Sequence, residues 1–166
     1  MVRLWVTYLE QRAAPRTPAL PPPRPDAEVA ARRLARPDYL ALYRAVGTPV
    51  QWDLRLRMIP TELDGFLAAP DTHLFLLALG DAVAGFCEAV DDAEGGIEIT
   101  HFGLRPEAKG QRLGPYLLDR AVRALWLRRP RRLWLHTDTC DDPAAIGTYE
   151  RAGFVAYRHA WEDFQD

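Results

Sequence analysis

Alternation between apolar and polar positions divides the chain into short segments. Residues 2–10, VRLWVTYLE, concentrate β-branched and aromatic side chains and predict a strand. Six prolines between Pro15 and Pro25 exclude helix there. They predict a stiff, polyproline-like connector over 13–25 between the first strand and the first helix, with a proline-groove ligand as the alternative. From Asp26 to Phe66 the pattern is helical: DAEVAARRLA, then PDYLALYRAVG with Asp38 near its cap and Gly47 as its stop, then ELDGFLAA. Two apolar runs around Gly80-Asp81 predict a tight hairpin, and GGIEITHFGLRP a third strand after the turn DDAEGG. A helix follows with Pro115 at its first position, placing Leu117, Leu118, Ala121, Val122 and Leu125 on one face. RRLWLHTD predicts a strand, Asp142-Pro143 caps a short helix through Tyr149, and Gly153 ends it before the last strand, FVAYRHAWE. The order β-α-α-β-β-β-α-β-α-β, without internal repeats, implies an α/β layer structure.

Bulk properties narrow the function classes. At 166 residues and 18.8 kDa the chain fits a single domain spanning 1–166. With 21 Lys and Arg against 23 Asp and Glu, the net charge of −2 provides no field to draw nucleic acid or anionic lipid. The dense run RRPRR, Arg128 to Arg132, follows a helix, where cations complement the dipole. Two cysteines, Cys87 and Cys140, give neither a disulfide framework nor metal spacing. No stretch approaches the ~20 apolar residues of a membrane span, and MVRLWVTYLE lacks the apolar run of a signal peptide. The expectation is a cytoplasmic protein without metal, nucleic-acid or membrane partners, and a homodimer is left open.

The chemistry concentrates in RPEAKGQRLGPYLL, Arg105 to Leu118. A glycine-bearing turn opening a helix presents unpaired N–H groups and the positive end of the helix dipole, which together suit a phosphate. Arg112 stands where such a cradle usually has a second glycine, and fits if its φ is negative. No Gly-Lys-Ser/Thr follows, which excludes a P-loop hydrolase.

FGLRPEAKGQRLGPYLLDRAV, taken with DDPAAIGTYERAGF, resembles the two central motifs of the GNAT N-acetyltransferase superfamily. The resemblance runs from about Ile97 to Phe154, and it implies a GNAT-like mixed, mostly antiparallel central sheet flanked by helices. It also implies that acetyl-CoA is the co-substrate. Its pyrophosphate would be held by Lys109, Gly110, Gln111, Arg112, Leu113 and Gly114, and its pantetheine paired with Phe102, Gly103 and Leu104. Lys109 replaces the usual Arg or Gln, Arg112 replaces a motif glycine, and Pro115 removes one N–H.

Acetyl transfer to an amine needs a neutral amine, a polarised thioester carbonyl and a proton for the departing thiolate. A lysine-like amine is only ~0.04% neutral at pH 7, a cost near 4.6 kcal/mol, so a base should help. The resemblance makes Tyr149 the general acid, with Ala145 leaving room for the co-substrate; a core tyrosine is the structural alternative. It makes Glu98 the base, on a face that alternation shares with Thr100 and Phe102; His101 points away and is the lesser candidate, since a lone strand histidine is more often packed. His136 and Asp138 alternate onto one face of the next strand, as a base or as acceptor contacts. Asp142 replaces a cofactor-contacting asparagine and is read as an N-cap, and Cys140 has nothing to activate it. Tyr39, Tyr43, Trp52, Arg55 and Arg57 form a candidate aromatic and basic wall for an acceptor bearing a carboxylate, or else are core and solvated residues. The sequence therefore points to an N-acetyltransferase acting on a small-molecule amine or amino acid in a ternary complex. A non-catalytic CoA-binding sensor or scaffold of the same fold is the alternative.

Overall fold

The computed structural model describes residues 1–164. Strand β1 (Val2–Gln11) leads through the proline-rich segment to β2 (Ala27–Ala31), helix α1 (Arg36–Gly47) and α2 (Pro60–Ala68). Strands β3 (Thr72–Leu79), β4 (Ala82–Asp91) and β5 (Ile97–Leu104) form a meander; α3 (Leu113–Trp126), β6 (Leu133–Asp138), α4 (Ala145–Arg151) and β7 (Val155–Phe164) complete the chain. The seven strands lie in the order β2-β3-β4-β5-β6-β1-β7, and every pair is antiparallel except β5 with β6. A mixed, mostly antiparallel sheet flanked by helices is the architecture the sequence predicted.

Two cores sandwich the sheet. Leu113, Leu117, Leu118, Ala121, Val122 and Leu125 of α3 are buried against Ile97, Ile99, Leu133 and Leu135 on one face. Each such leucine removed from water contributes about 1.5–3 kcal/mol, which is why the stripe fixes this helix. On the other face Tyr39, Leu42, Tyr43 and Val46 of α1 pack on Leu74, Leu76 and Phe86, joined by Leu63 and Leu67 of α2. The Gly80-Asp81 hairpin forms as its sequence requires, with Gly80 at φ 59°.

Three local expectations are corrected. Residues 27–31 form a strand instead of a helix, because Ala27 to Ala31 pair with the exposed edge of β3 from Leu79 to Phe75; sheet pairing overrides the propensity of an alanine-rich stretch. The connector therefore ends at β2, not at a helix. It lies along α3, where Leu20 accepts from Arg120 and donates to Asp119, and Thr17 accepts from Arg123. Helix α3 begins at Leu113, so Pro115 is its third residue, still inside the turn whose N–H groups have no helical partner.

Candidate functional site

A cavity of 1090 Å³ opens where β5 and β6 part. These parallel strands pair only through Ile97↔Leu133, Glu98↔Trp134 and Ile99↔Leu135. Beyond Ile99 the strands diverge, so the edge of β5 that faces β6, from Thr100 to Leu104, has no strand to pair with. Because the gap passes through the sheet, the cavity is lined from both faces: Tyr43, Trp52, Glu98 and His101 on the α1 side, and Phe102 and Tyr149 on the α3 side.

The loop before α3 reaches the rim of this cavity. The amides of Gly110, Gln111, Arg112, Leu113 and Gly114 make no hydrogen bond to any described residue. Five consecutive unpartnered N–H groups at the start of a 14-residue helix form a concentrated anion-binding surface. A Cβ added at Gly114 would lie 3.8 Å from Leu104 and 3.9 Å from Phe102, so the protein does not require a glycine there; its bareness leaves the backbone open to the cavity. Arg112 is exposed, and contrary to the sequence reading its φ is +61°, in the left-handed region. The turn into α3 demands this backbone whichever side chain it carries, and a non-glycine residue pays about 1–2 kcal/mol for it. Arg112→Gly is expected to raise stability by about 1 kcal/mol, read as a Tm increase of about 2–4 °C.

Alternation along β5 also fails, for a definite reason. The β4–β5 register slips between Glu88↔His101 and Ala89↔Ile99, leaving Thr100 as a bulge. Side chains after it exchange faces: His101 joins the side of Glu98, against Tyr43 and Trp52, whereas Phe102 joins Ile97 and Ile99 on the α3 side, 5.7 Å from the Tyr149 ring. Glu98 and Phe102 thus line the cavity from opposite faces.

Tyr149 is 7% exposed and its hydroxyl has no hydrogen-bond partner among the described residues. Burial, with the Asp141 and Cys87 charges adding, pushes the phenol pKa far up, so it holds its proton at any physiological pH. Glu98 is three-quarters buried, with His136 Nε2 at 3.7 Å. Burial raises its pKa and His136 lowers it less. Asp138 is likewise raised by burial. Asp142 is not the N-cap that the sequence predicts, since α4 begins at Ala145 and its cap residue is Ala144; it accepts from the Ala144 amide at 3.0 Å and from Lys109 Nζ at 2.8 Å, closing the turn before α4 and tying it to the α3 loop. Ala145 packs against the α3 core beside it. Cys140 is pushed upward by burial and then by the charges of Asp138 and Asp141, leaving a thiol with no tendency to ionise.

Of the five candidate wall residues, Tyr43, Trp52, Arg55 and Arg57 line the cavity and Tyr39 does not, and the two arginines are already paired. Tyr39 and Tyr43 are buried core residues, and Arg55 is bound to Glu88 at 2.8 Å. Arg57 pairs with Asp53. Glu88 was the functional candidate missed in the sequence, although a lone carboxylate inside the apolar run AVAGFCEAV is a signal in itself. Its four partners are Tyr39, Arg55 (Nη2 2.8 Å), Thr100 (Oγ1 2.6 Å) and His101 (Nδ1 2.9 Å). Burial alone would raise this carboxyl; the hydrogen bond and charge of His101, with Arg55, outweigh it and hold the carboxyl well below the usual range.

The pattern of the Acetyltransferase (GNAT) family matches residues 30–154. The chain belongs to this family. No curated protein matches it. Among solved structures it is similar to a GCN5-related N-acetyltransferase from Sphaerobacter thermophilus, with 22% identity and TM-score 0.64 over 96% of this chain and 49% of that one. It is also similar to a GCN5-related N-acetyltransferase from Kribbella flavida, with 17% identity and TM-score 0.60 over 96% of this chain and 56% of that one. A third likeness is to an aminoglycoside acetyltransferase from an uncultured soil metagenomic sample, with 13% identity and TM-score 0.67 over 85% of this chain and 96% of that one. At these identities the likeness is one of fold, and the chain spans about half the length of the first two structures. The GNAT chain has no helix, among its described residues, long and apolar enough to cross a membrane, and no group of three or more His, Cys, Asp or Glu suited to a metal.

Proposed function

We propose that this GNAT chain is an N-acetyltransferase that uses acetyl-CoA to acetylate a primary amine of a small molecule by direct attack in a ternary complex. The observation that carries the reading is the row of unpartnered amides from Gly110 to Gly114, of which Gly110, Arg112, Leu113 and Gly114 line the same cavity as the unpaired edge of β5 and Tyr149. The amides suit a pyrophosphate, and the β5 edge at Phe102 to Leu104 suits an extended chain bearing amides. The co-substrate supplies the activated acetyl group, and the rest falls to the protein. Glu98 takes a proton from the acceptor ammonium so that the neutral amine attacks, His136 stands beside it, and a β5 N–H near Phe102 polarises the acetyl carbonyl. As the C–N bond forms and the C–S bond breaks, the nitrogen releases its second proton to solvent, and Tyr149 gives its proton to the departing sulfur and recovers one from solvent. Lys109 and Arg112 add positive charge at the loop, Lys109 shared with Asp142.

With Arg55 bound to Glu88 and Arg57 to Asp53, the wall has little charge left for an acceptor carboxylate. Glu98, Asp138 and Asp141 line the cavity, and with Arg55 and Arg57 already paired these carboxyl groups favour a cationic amine. The relative described as an aminoglycoside acetyltransferase fits an amine acceptor of this kind.

Calorimetric titration with acetyl-CoA, with dephospho-CoA and ATP as comparators, tests the site. Micromolar binding of acetyl-CoA with far weaker binding of ATP supports the proposal, and no binding up to millimolar refutes it. Binding without turnover of any amine in a broad panel would leave a CoA-binding domain that does no chemistry. In the same titration Arg112→Gly should weaken acetyl-CoA by about three- to tenfold while raising Tm, because it removes a charge near the phosphates as it relieves the backbone.

A further inference from the structure

We propose that Glu88 is the positioning residue of the acceptor side, holding the 51–59 loop and the β5 bulge in register with each other. The inference rests on the cavity being an acceptor site. Glu88 is 0% exposed and touches no part of that cavity, so it has no direct role in binding or chemistry. It nevertheless bonds three separate elements: α1 through Tyr39, the 51–59 loop through Arg55, and β5 through Thr100 and His101.

Two of these elements shape the cavity. Trp52, Asp53, Leu54, Arg55 and Arg57 form its wall on the loop side. Arg55 fastens that loop, with its guanidinium on Glu88 and 3.9 Å over the Phe66 ring, and its amide on the Tyr43 hydroxyl at 3.4 Å. Thr100 is the bulged residue itself, and its hydroxyl is turned onto Glu88 Oε1. His101 carries the connection onward: Nδ1 meets Glu88, Nε2 meets the Tyr43 hydroxyl at 3.0 Å, and its ring stands edge-on to Trp52 at 4.8 Å. One buried carboxylate therefore sets the loop wall and the strand that faces it. The phosphate-binding amides lie outside this network, on α3 and its preceding loop.

A buried ion pair is weak evidence for stability, because apolar residues of similar volume often replace it without loss. This separates positioning from mere support. The test uses Glu88→Gln, which keeps the shape and removes the charge, and the double variant Glu88→Met with Arg55→Met, which removes both charges. In Glu88→Gln the amides of Trp52, Leu56 and Arg57, bonded to the Gly47 and Asp53 carbonyls, should exchange with deuterium about tenfold faster, and those of α3 at the wild-type rate. Acetyl-CoA affinity should stay within about threefold, while KM for the amine that wild type acetylates best rises about tenfold or more with a smaller change in kcat. The double variant should regain the wild-type Tm but keep the raised KM. If KM recovers together with Tm, or if exchange rises equally in α3 and acetyl-CoA binding falls in parallel, Glu88 only supports the fold and the proposal fails. If wild type binds acetyl-CoA and acetylates nothing, the proposed function fails instead. The exchange measurement then decides the role of Glu88 alone.

Discussion

Tyr149→Phe is expected to lower turnover by about 10²–10³-fold and to leave acetyl-CoA affinity within about twofold. The substitution removes one oxygen whose hydroxyl bonds to no described residue, so it breaks no hydrogen bond that holds the fold. The ring contacts with Phe102 and Phe154, at 5.7 and 6.2 Å, survive in phenylalanine. A purely structural tyrosine would therefore tolerate the change with full activity. Steady-state rates and calorimetry on the same preparation check both halves, and an unchanged kcat removes Tyr149 from the mechanism. The raised pKa of the phenol suits the role, since the group must be protonated when the thiolate leaves. Its cost as an acid is met only at the moment a stronger base appears beside it.

Glu98→Gln should reduce kcat/KM by about 10²-fold at neutral pH and flatten the acidic limb of the pH profile. Burial raises the Glu98 pKa in the folded protein, so wild-type activity should rise with pH through a value above that of an exposed glutamate. The same shift has a consequence for stability. Between the unfolded and the raised folded pKa the native state binds more protons, so stability falls as pH rises across that window and stays level above it. Glu98→Gln removes this loss. The variant should thus gain stability relative to wild type as pH rises from acid to neutral, while its activity falls. Thermal melts across pH beside rate profiles test the pair of signs, and a variant with an intact acidic limb would exclude Glu98 as the base. His136, 3.7 Å away, opposes the shift in Glu98 when charged, so replacing it by asparagine should move the acidic limb to higher pH.

What could be read from the chain without coordinates was whatever depends on local pattern. The alternation of VRLWVTYLE, the Gly80-Asp81 turn and the leucine stripe of α3 each specify their own element, because period and turn chemistry act over a few residues. The GNAT motifs likewise placed a loop, a helix and a tyrosine at the right separation. Tertiary structure decided everything that depends on a partner distant in sequence. Ala27 to Ala31 became a strand because the edge of β3 was available. β1 came to lie between β6 and β7, where it pairs with both, as no local signal specifies. The bulge at Thr100 put His101 on the face of Glu98 and sent Phe102 to the other; an alternation rule cannot see a slip in register with β4. Arg112 was driven to positive φ by the turn it occupies, at a cost its own preference opposes. Glu88 drew Tyr39 off the acceptor wall and took up the charge of Arg55, and its burial is tolerated only because four donors from three elements converge on it, a convergence that exists only in the folded chain.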